Sequence, residues 1–409
     1  MPLHSWVPDC GEKAPAAVTA FLPASLDKLL GIYLLGRTVR GLFVFTAGMH
    51  TLLMVVGAGT VVCAVMMALV QHDLKRLLAY HAVSQVGYMV LGIGTGTALG
   101  IAGGLFHMLN HAIYKSALFL CAGSVEKTTG TTDLDRLGGL GRVMPLTFLA
   151  CLIAALAIAG VPPLNGFASK WMVYQGILEA GRGGDRLWMV WLAAAMFGSA
   201  LTLASFVKVL HAVFLCKPAP ELSRRPLREV AVSMWLPPLT LAGLCVLFGV
   251  RAFPVPLRTM ILPAVGGVRF TGAWWAGTST LLLAAGWAVG LVLYLATTAR
   301  KARECETYIG GERLDEPYIS GVPRGPARHV EVTGVDFYLS VEELGPLRRL
   351  YAAARRKWFD LYDVGTGVIF YFVELLRTAH SGLLPLYLTW YLAGFLALLW
   401  LLATGVRLL

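Results

Sequence analysis

Between Ala98 and Gly123 the chain reads ALGIAGGLFHMLNHAIYKSALFLCAG. A run of that length and apolarity can cross a bilayer as a helix. In hydrocarbon every backbone N–H and C=O has to be satisfied internally, so the spanning structures open to a chain are helices and closed barrels. Yet this run carries His107, His111 and Lys115. At ~100° per residue, steps of four drift by only ~40°, so the three side chains form one stripe on a helix. Ionisable groups at membrane depth are costly and by default point to an ion or proton path.

The rest of the sequence has the same character. It is 57% hydrophobic and only 14% charged, with mean hydropathy +0.69. That composition describes a polytopic membrane protein, all-α, rather than a large soluble core. About ten apolar segments can be read as membrane helices. They are Pro15–Arg37, Gly48–Val70, Leu77–Gly96, Ala98–Gly123, Met144–Ala159, Asn165–Ala180, Leu187–Cys216, Val230–Val250, Trp275–Thr298 and Leu384–Thr404. The net charge of +11 comes from Lys and Arg clustered in loops between these runs, a pattern of membrane topology rather than of nucleic-acid binding. The stretch from Arg300 to Arg377 is the one long polar region, and within it Asp363–Ala379 has an apolar face that suits an interfacial helix.

Two segments are interrupted by proline. Gly160-Val161-Pro162-Pro163-Leu164-Asn165-Gly166 breaks one apolar span, with Lys170 four residues beyond it, and Pro15 and Pro23 precede Lys28 in the first. Non-helical backbone at membrane depth is tolerated where protein or water satisfies it, and discontinuous helices recur at ion sites. The pair hints at a weak inverted repeat.

Lys28, Lys115 and Lys170 thus lie in three different apolar segments. A lysine in low dielectric loses its proton more readily, because desolvation disfavours the charged form. Histidine exchanges protons near neutrality without perturbation, so His81, His107 and His111 suit positions between lysines. Ser84, Gln85, Tyr88, Asn110 and Tyr114 could hold linking waters. The bland alternative is that such residues snorkel or cap nearby carbonyls. It fits His81, read as close to the Lys75-Arg76 loop, and it fits Lys208 and His211 near the end of their segment, where a secondary relay role is the sharper option. Gln85 joins them as a secondary candidate. Asp9 and Glu12 read as interfacial.

No catalytic, metal or cofactor site is expected. The i,i+4 pair His107/His111 has no third ligand in its run, and none of the seven cysteines has CxxC spacing. There is no phosphate-binding glycine loop, nucleophile elbow or paired-carboxylate constellation.

Four ordered motifs carry a resemblance. Pro2-Leu3-His4-Ser5-Trp6-Val7-Pro8-Asp9 followed by Ala14-Pro15 resembles "PLHxWLPDAxxxAP". Gln71-His72-Asp73-Leu74-Lys75-Arg76-Leu77-Leu78-Ala79-Tyr80 with Ser84-Gln85-Val86-Gly87-Tyr88 resembles "DxKRLLAYSSxSxxG". His111-Ala112-Ile113-Tyr114-Lys115-Ser116-Ala117-Leu118-Phe119 resembles "HAxxKxxLF". Gly160 through Lys170 resembles "GxPPxxGFxSK". These are signatures of the antiporter-like, proton-translocating subunits of respiratory complex I (NADH:quinone oxidoreductase), energy-converting hydrogenases, formate hydrogenlyases and Mrp-type cation/proton antiporters.

The resemblance implies an antiporter-like helix bundle in a prokaryotic inner membrane, working beside other membrane subunits and without a cofactor of its own. It implies a relay in which Lys115 is the central lysine, His111 its neighbour, Lys170 the lysine of the second discontinuous helix and Lys28 that of the helix after the first. His107 matches less firmly, and Gln85 stands where some members have histidine. Relative to the family the chain is N-terminally truncated: Met1 falls inside the first motif, and a glutamate and a lysine are expected upstream of it. The implied organisation is a proton-translocating core over 1–216, additional transmembrane helices over 217–298, a polar and interfacial segment over 299–383 and a membrane anchor over 384–409. Val335-Asp336-Phe337-Tyr338 and Phe359-Asp360-Leu361-Tyr362-Asp363 resemble tails of the large complex I subunit and of hydrogenase homologues. Three functions follow as expectations: proton translocation coupled to a redox module, cation/proton antiport, or a non-conducting structural role.

Overall fold

The computed structural model describes residues 4–223, 226–268, 276–296, 344–379 and 382–404, together with residues 335, 338 and 342. Helix dominates throughout, and among the described residues the β-structure is one isolated antiparallel bridge between Asp73 and Asp133. The chain divides into two units, one within residues 6–340 and the other holding residues 341–409 with the segment of His4 and Ser5.

The first unit begins with α1 (Trp6–Lys13) and α2 (Ala16–Leu42). It continues through α3 (Ala47–Leu69), α4 (Leu74–Gly94) and the 32-residue α5 (Ala98–Thr129). Then follow α6 (Pro145–Ala159), α7 (Asn165–Arg182), α8 (Trp188–Leu210), α9 (Val232–Val250), α10 (Phe253–Val265) and α11 (Ala276–Ala296). Six helices among the described residues are long and apolar enough to cross a membrane: α2, α3, α4, α8 with its extension to Ser223, α9, and Leu384–Ala403 of the second unit.

Polar side chains start these helices. Thr46, Asp73 and Thr97 accept from the backbone N–H groups of Met49, Arg76 and Gly100 at the heads of α3, α4 and α5, so orphan donors of the first turn are satisfied. α5 is the axis of the unit. It packs against α2, α4, α6, α7 and α9, and its stripe therefore faces protein rather than lipid.

The two proline-interrupted segments differ. In α2, Pro23 lies in one wider turn, Leu22–Leu26, and the helix continues through it to Leu42. Between α6 and α7 the helix stops. Gly160 takes φ +87°, a left-handed conformation that glycine reaches without a Cβ penalty. Pro162 and Pro163 cannot donate, and α7 starts afresh at Asn165. The restart packs against the end of the broken helix: a Cβ on Gly166 would collide with the Ala157 carbonyl oxygen.

Segment ends moved outward where side chains extend the hydrogen bonding beyond the apolar run. α4 starts at Leu74 rather than Leu77, α5 reaches Thr129 rather than Gly123, and α2 reaches Leu42. α1 and α10 escaped the hydropathy reading, being short. The polar segment from 299 lies largely outside the described residues, as do Met1 to Leu3 of the first motif, Asp336, Phe337, Trp275 and Thr298.

The second unit contains α12 (Gly345–Arg355), α13 (Leu361–Ala379) and α14 (Leu384–Ala403). Ser5 donates to Asp360 at 2.8 Å, and Arg355 pairs with Glu342. α13 confirms a helix where an interfacial one was expected, starting two residues earlier.

Candidate functional site

Three elements hold the centre of the site. His107, His111 and Lys115 rise along α5, all fully buried. Lys170 sits on the second turn of α7, and α4 contributes His81, Gln85 and Tyr88, also buried.

His107 has three neighbours. One ring nitrogen, Nδ1, faces Ser169 Oγ at 2.9 Å, while Nε2 faces Gln85 Oε1 at 3.1 Å and Tyr114 Oη at 3.3 Å. It therefore bridges α4, α5 and α7. One turn on, Asn110 and Asn165 exchange hydrogen bonds: Asn110 Nδ2 donates to the Asn165 carbonyl at 2.9 Å, and Asn165 Nδ2 donates to Asn110 Oδ1 at 3.1 Å. The pair fastens the head of α7 to the stripe.

His111 and Lys115 are different. Neither ring nitrogen of His111, nor Lys115 Nζ, has a hydrogen-bond partner among the described residues. Ala24, in the wide turn of α2, acts on the His111 ring through its backbone. Lys115 Nζ lies over the rings of Phe119 and Phe206, at 5.8 and 5.9 Å from their centroids, within the range of cation–π attraction. Burying a cation against aromatic faces alone is expensive.

Lys170 uses the helix break. Its Nζ donates to the carbonyls of Ile158 at 2.9 Å and Ala159 at 3.3 Å, the last residues of α6. Those carbonyls have lost their helical partners and carry the negative end of the helix dipole, so an ammonium is well placed there. Tyr88 lies beneath it, at 4.7 Å from ring centroid to Nζ.

Lys28 is near the edge. It pairs with Asp27 at 2.6 Å and lies 5.9 Å from the Trp6 ring centroid. It is still close enough to act electrostatically on His111 and Lys115.

The secondary candidates separate. His81 sits two turns inside α4, fully buried, because that helix starts at Leu74; it is not at a helix end. Its Nε2 faces Ser205 Oγ at 2.7 Å. Lys208 does not snorkel: it is 2% exposed, and its Nζ donates to the carbonyls of Leu69 and Gln71, each at 2.9 Å. His211 alone faces outward.

Asp9 and Glu12 both pair with Arg76, at 3.2 and 2.6 Å. Beside them Lys75 reaches both carboxylate oxygens of Glu126 at 3.1 Å and the Ala14 carbonyl at 3.2 Å. Glu229 escaped the sequence reading. Its carboxylate accepts from the backbone of Leu146 at 2.9 Å and of Thr147 at 3.3 Å, and from the Thr147 hydroxyl at 2.7 Å, capping the head of α6. Ser169 and Ser205 were not singled out; Ser169 is signalled by its place beside Lys170 in the fourth motif, and Ser205 only by its spacing one turn before Lys208. Among the described residues no cluster of three or more metal-ligating side chains occurs.

With this geometry in view, residues 1–202 match the family described as "NADH:quinone oxidoreductase/Mrp antiporter, TM". That region belongs to this antiporter-like family. The chain is 33% identical over 324 residues to the Na(+)/H(+) antiporter subunit A1 of Staphylococcus haemolyticus, covering 72% of this chain and 40% of that one. It is 36% identical over 282 residues to formate hydrogenlyase subunit 3 of Escherichia coli, covering 64% of this chain and 46% of that one. The chain thus spans under half the length of these curated relatives. A subunit in the solved structure of the membrane-bound sulfane sulfur reductase, an archaeal respiratory membrane complex, aligns with 97% of this chain and 65% of its own length, at 26% identity and a TM-score of 0.73. The chain is thus a multi-pass membrane protein, and the proteins it matches are subunits of membrane complexes.

Proposed function

We propose that this chain moves protons across the membrane as a subunit of a larger complex, through a relay of Lys28, His111, Lys115 and Lys170, with His107 joining the α5 stripe to α7. A redox module of the NADH–quinone oxidoreductase or membrane-bound hydrogenase type supplies the driving force, and bound water links the side chains. The chain works in a prokaryotic plasma membrane, its core within 1–216.

One observation carries the reading. Lys115 is fully buried and no described residue hydrogen-bonds its nitrogen, and the equally buried His111 lies one turn before it. A lysine kept for stability is paired, as Lys75 is with Glu126. An unpaired lysine beside a histidine in one buried stripe costs stability and makes sense as a group that changes protonation.

The test is Lys115→Ala in the assembled complex, reconstituted in liposomes, with lumenal pH followed by a dye while NADH or formate is supplied as electron donor. Translocation should vanish while subunit composition stays intact. Unchanged translocation would sink the proposal.

The relationship to a Na(+)/H(+) antiporter subunit favours a second reading, cation/proton antiport without electron transfer. A sodium pulse in the absence of donors separates the two, since only the antiporter then moves protons. In a non-conducting subunit, neither drive would depend on Lys115 or Lys170.

A further inference from the structure

The proton relay proposed above uses α2, α5 and α7 and leaves a second buried polar cluster between α4 and α8 unassigned. Four observations define it. His81 on α4 is fully buried, and its Nε2 faces Ser205 Oγ at 2.7 Å. Its other nitrogen, Nδ1, is buried with no hydrogen-bond partner among the described residues. Ser205 and Lys208 lie three residues apart on α8, hence on the same face. Lys208 Nζ donates to the carbonyls of Leu69 and Gln71, and the turn they open, before α4 starts at Leu74, carries the exposed His72.

Phe206 connects this cluster to the central lysine. The His81 ring lies 4.8 Å from the Phe206 ring, centroid to centroid. Lys115 Nζ lies 5.9 Å from that same ring. His81 and Lys115 therefore share one aromatic neighbour, a buried side chain with no polar atom of its own.

Resting on that relay reading, we infer that His81, Ser205 and Lys208 form the branch through which Lys115 discharges its proton, running past Phe206 to the α3–α4 turn. Lys115 gives up a proton, which reaches His81 Nδ1 by way of water. The imidazole releases its Nε2 proton to Ser205 Oγ, so the ring ends neutral in its other tautomer. The Ser205 hydroxyl passes its own proton on to the neutral amine of Lys208, leaving Lys208 as an ammonium held by two carbonyls. Lys208 then releases a proton to water at the Gln71–His72 turn. Each step moves one proton and needs no further reactant. Phe206 acts as the apolar spacer that keeps the branch from conducting freely.

A purely structural role is the rival account, in which Lys208 caps the C-terminus of α3 as Lys170 caps that of α6. Lys208→Arg separates the two. Arginine can still donate to both carbonyls, but it does not lose its proton in proteins. The experiment uses the assembled complex in liposomes, with proton translocation measured under both the electron-donor and the sodium drive and with Lys115→Ala alongside. The branch predicts normal assembly of Lys208→Arg and translocation reduced by at least ~10-fold, the low end of what a positioned proton-transfer group contributes. Ser205→Ala, which leaves the lysine cap untouched, should slow translocation in the same way. Wild-type rates in both variants, with Lys115→Ala inactive, would overturn the branch and leave the central relay standing. A wild-type rate in Lys115→Ala would overturn the relay and the branch with it.

Discussion

Two basic clusters share the first unit and are treated in opposite ways. At the head of α4, Lys75 meets Glu126 and Arg76 meets Asp9 and Glu12. Lys115 lies over the rings of Phe119 and Phe206, and no described residue hydrogen-bonds its nitrogen. The first arrangement joins α1, α4 and α5 with charge-assisted hydrogen bonds at a helix end and suits a permanent charge. The second leaves a cation poorly solvated and suits a charge that comes and goes. Burial by itself does not make the difference, because Lys75 is 3% exposed and Lys115 fully buried. Partnership does.

The sharpest way to break this contrast is to exchange the two lysines' fates. Lys115→Ala should abolish proton translocation while leaving the melting temperature within a few degrees of the parent or above it, since a costly buried group is removed. Lys75→Ala should do the reverse. It leaves Glu126 and the Ala14 carbonyl without their partner and should cost about 1–3 kcal/mol, read as a lower melting temperature of the detergent-solubilised complex, with residual transport per folded complex near normal. Equal transport losses in the two would erase the distinction.

A smaller effect is expected at the helix break. A Cβ on Gly160 would lie 3.0 Å from Lys170 Cδ, at a φ of +87° that side chains rarely adopt. Gly160→Ala should cost about 1 kcal/mol through backbone strain. It should also slow transport several-fold by displacing Lys170 from the Ile158 and Ala159 carbonyls. Normal transport in a destabilised variant would show that the lysine's exact seat is unimportant.

Glu229 allows a purely structural comparison. Glu229→Ala removes the carboxylate from the head of α6 and should lower stability by about 1 kcal/mol, typical of a lost cap. Glu229→Gln, which keeps an acceptor, should recover part of it in the same melting assay.

The smallest effect is expected at Asp73, outside the membrane segments. Burial holds its carboxyl above the ordinary value, opposed by hydrogen bonds from Thr132 and from the Arg76 backbone. A carboxyl raised in the folded state contributes stability at low pH and loses it as pH rises through its folded value. At neutral pH, Asp73→Asn should therefore be neutral or slightly stabilising, within about 0.5 kcal/mol. Relative to that variant, the parent should gain stability as pH falls into the carboxylate range. A clear loss in Asp73→Asn at neutral pH would show that the charge itself is needed.

Much of the bundle was legible in the sequence because hydropathy and helical periodicity are local. Most of the expected spans begin or end close to a helix boundary in the structure, as α6 and α7 do at the Gly160–Leu164 break. The likeness of the two proline-interrupted segments held in part: around Pro15 α1 stops at Lys13 and α2 starts at Ala16, as α6 and α7 do around Pro162 and Pro163, but the second proline of the first segment does not break its helix. Pro23 is absorbed by a wider turn, whereas Gly160 with Pro162 and Pro163 stops the helix. A proline's effect depends on whether neighbours donate to the carbonyls around it; here Ser116 donates to Ala20 beside Pro23 and Lys170 to Ile158 and Ala159 at the second break.

By itself the sequence determined that the chain is a helical membrane protein with three ionisable residues on one face of one apolar run. Apolar length and a four-residue spacing are properties of a single segment, and no packing partner is needed to read them. Which buried cations are paired was decided only by the tertiary structure. Glu126 lies 51 residues from Lys75, Ser205 lies 124 from His81, and Leu69 lies 139 from Lys208. Desolvation and partnership act through space, so only the packed bundle separates a lysine held for stability from one left free to exchange its proton.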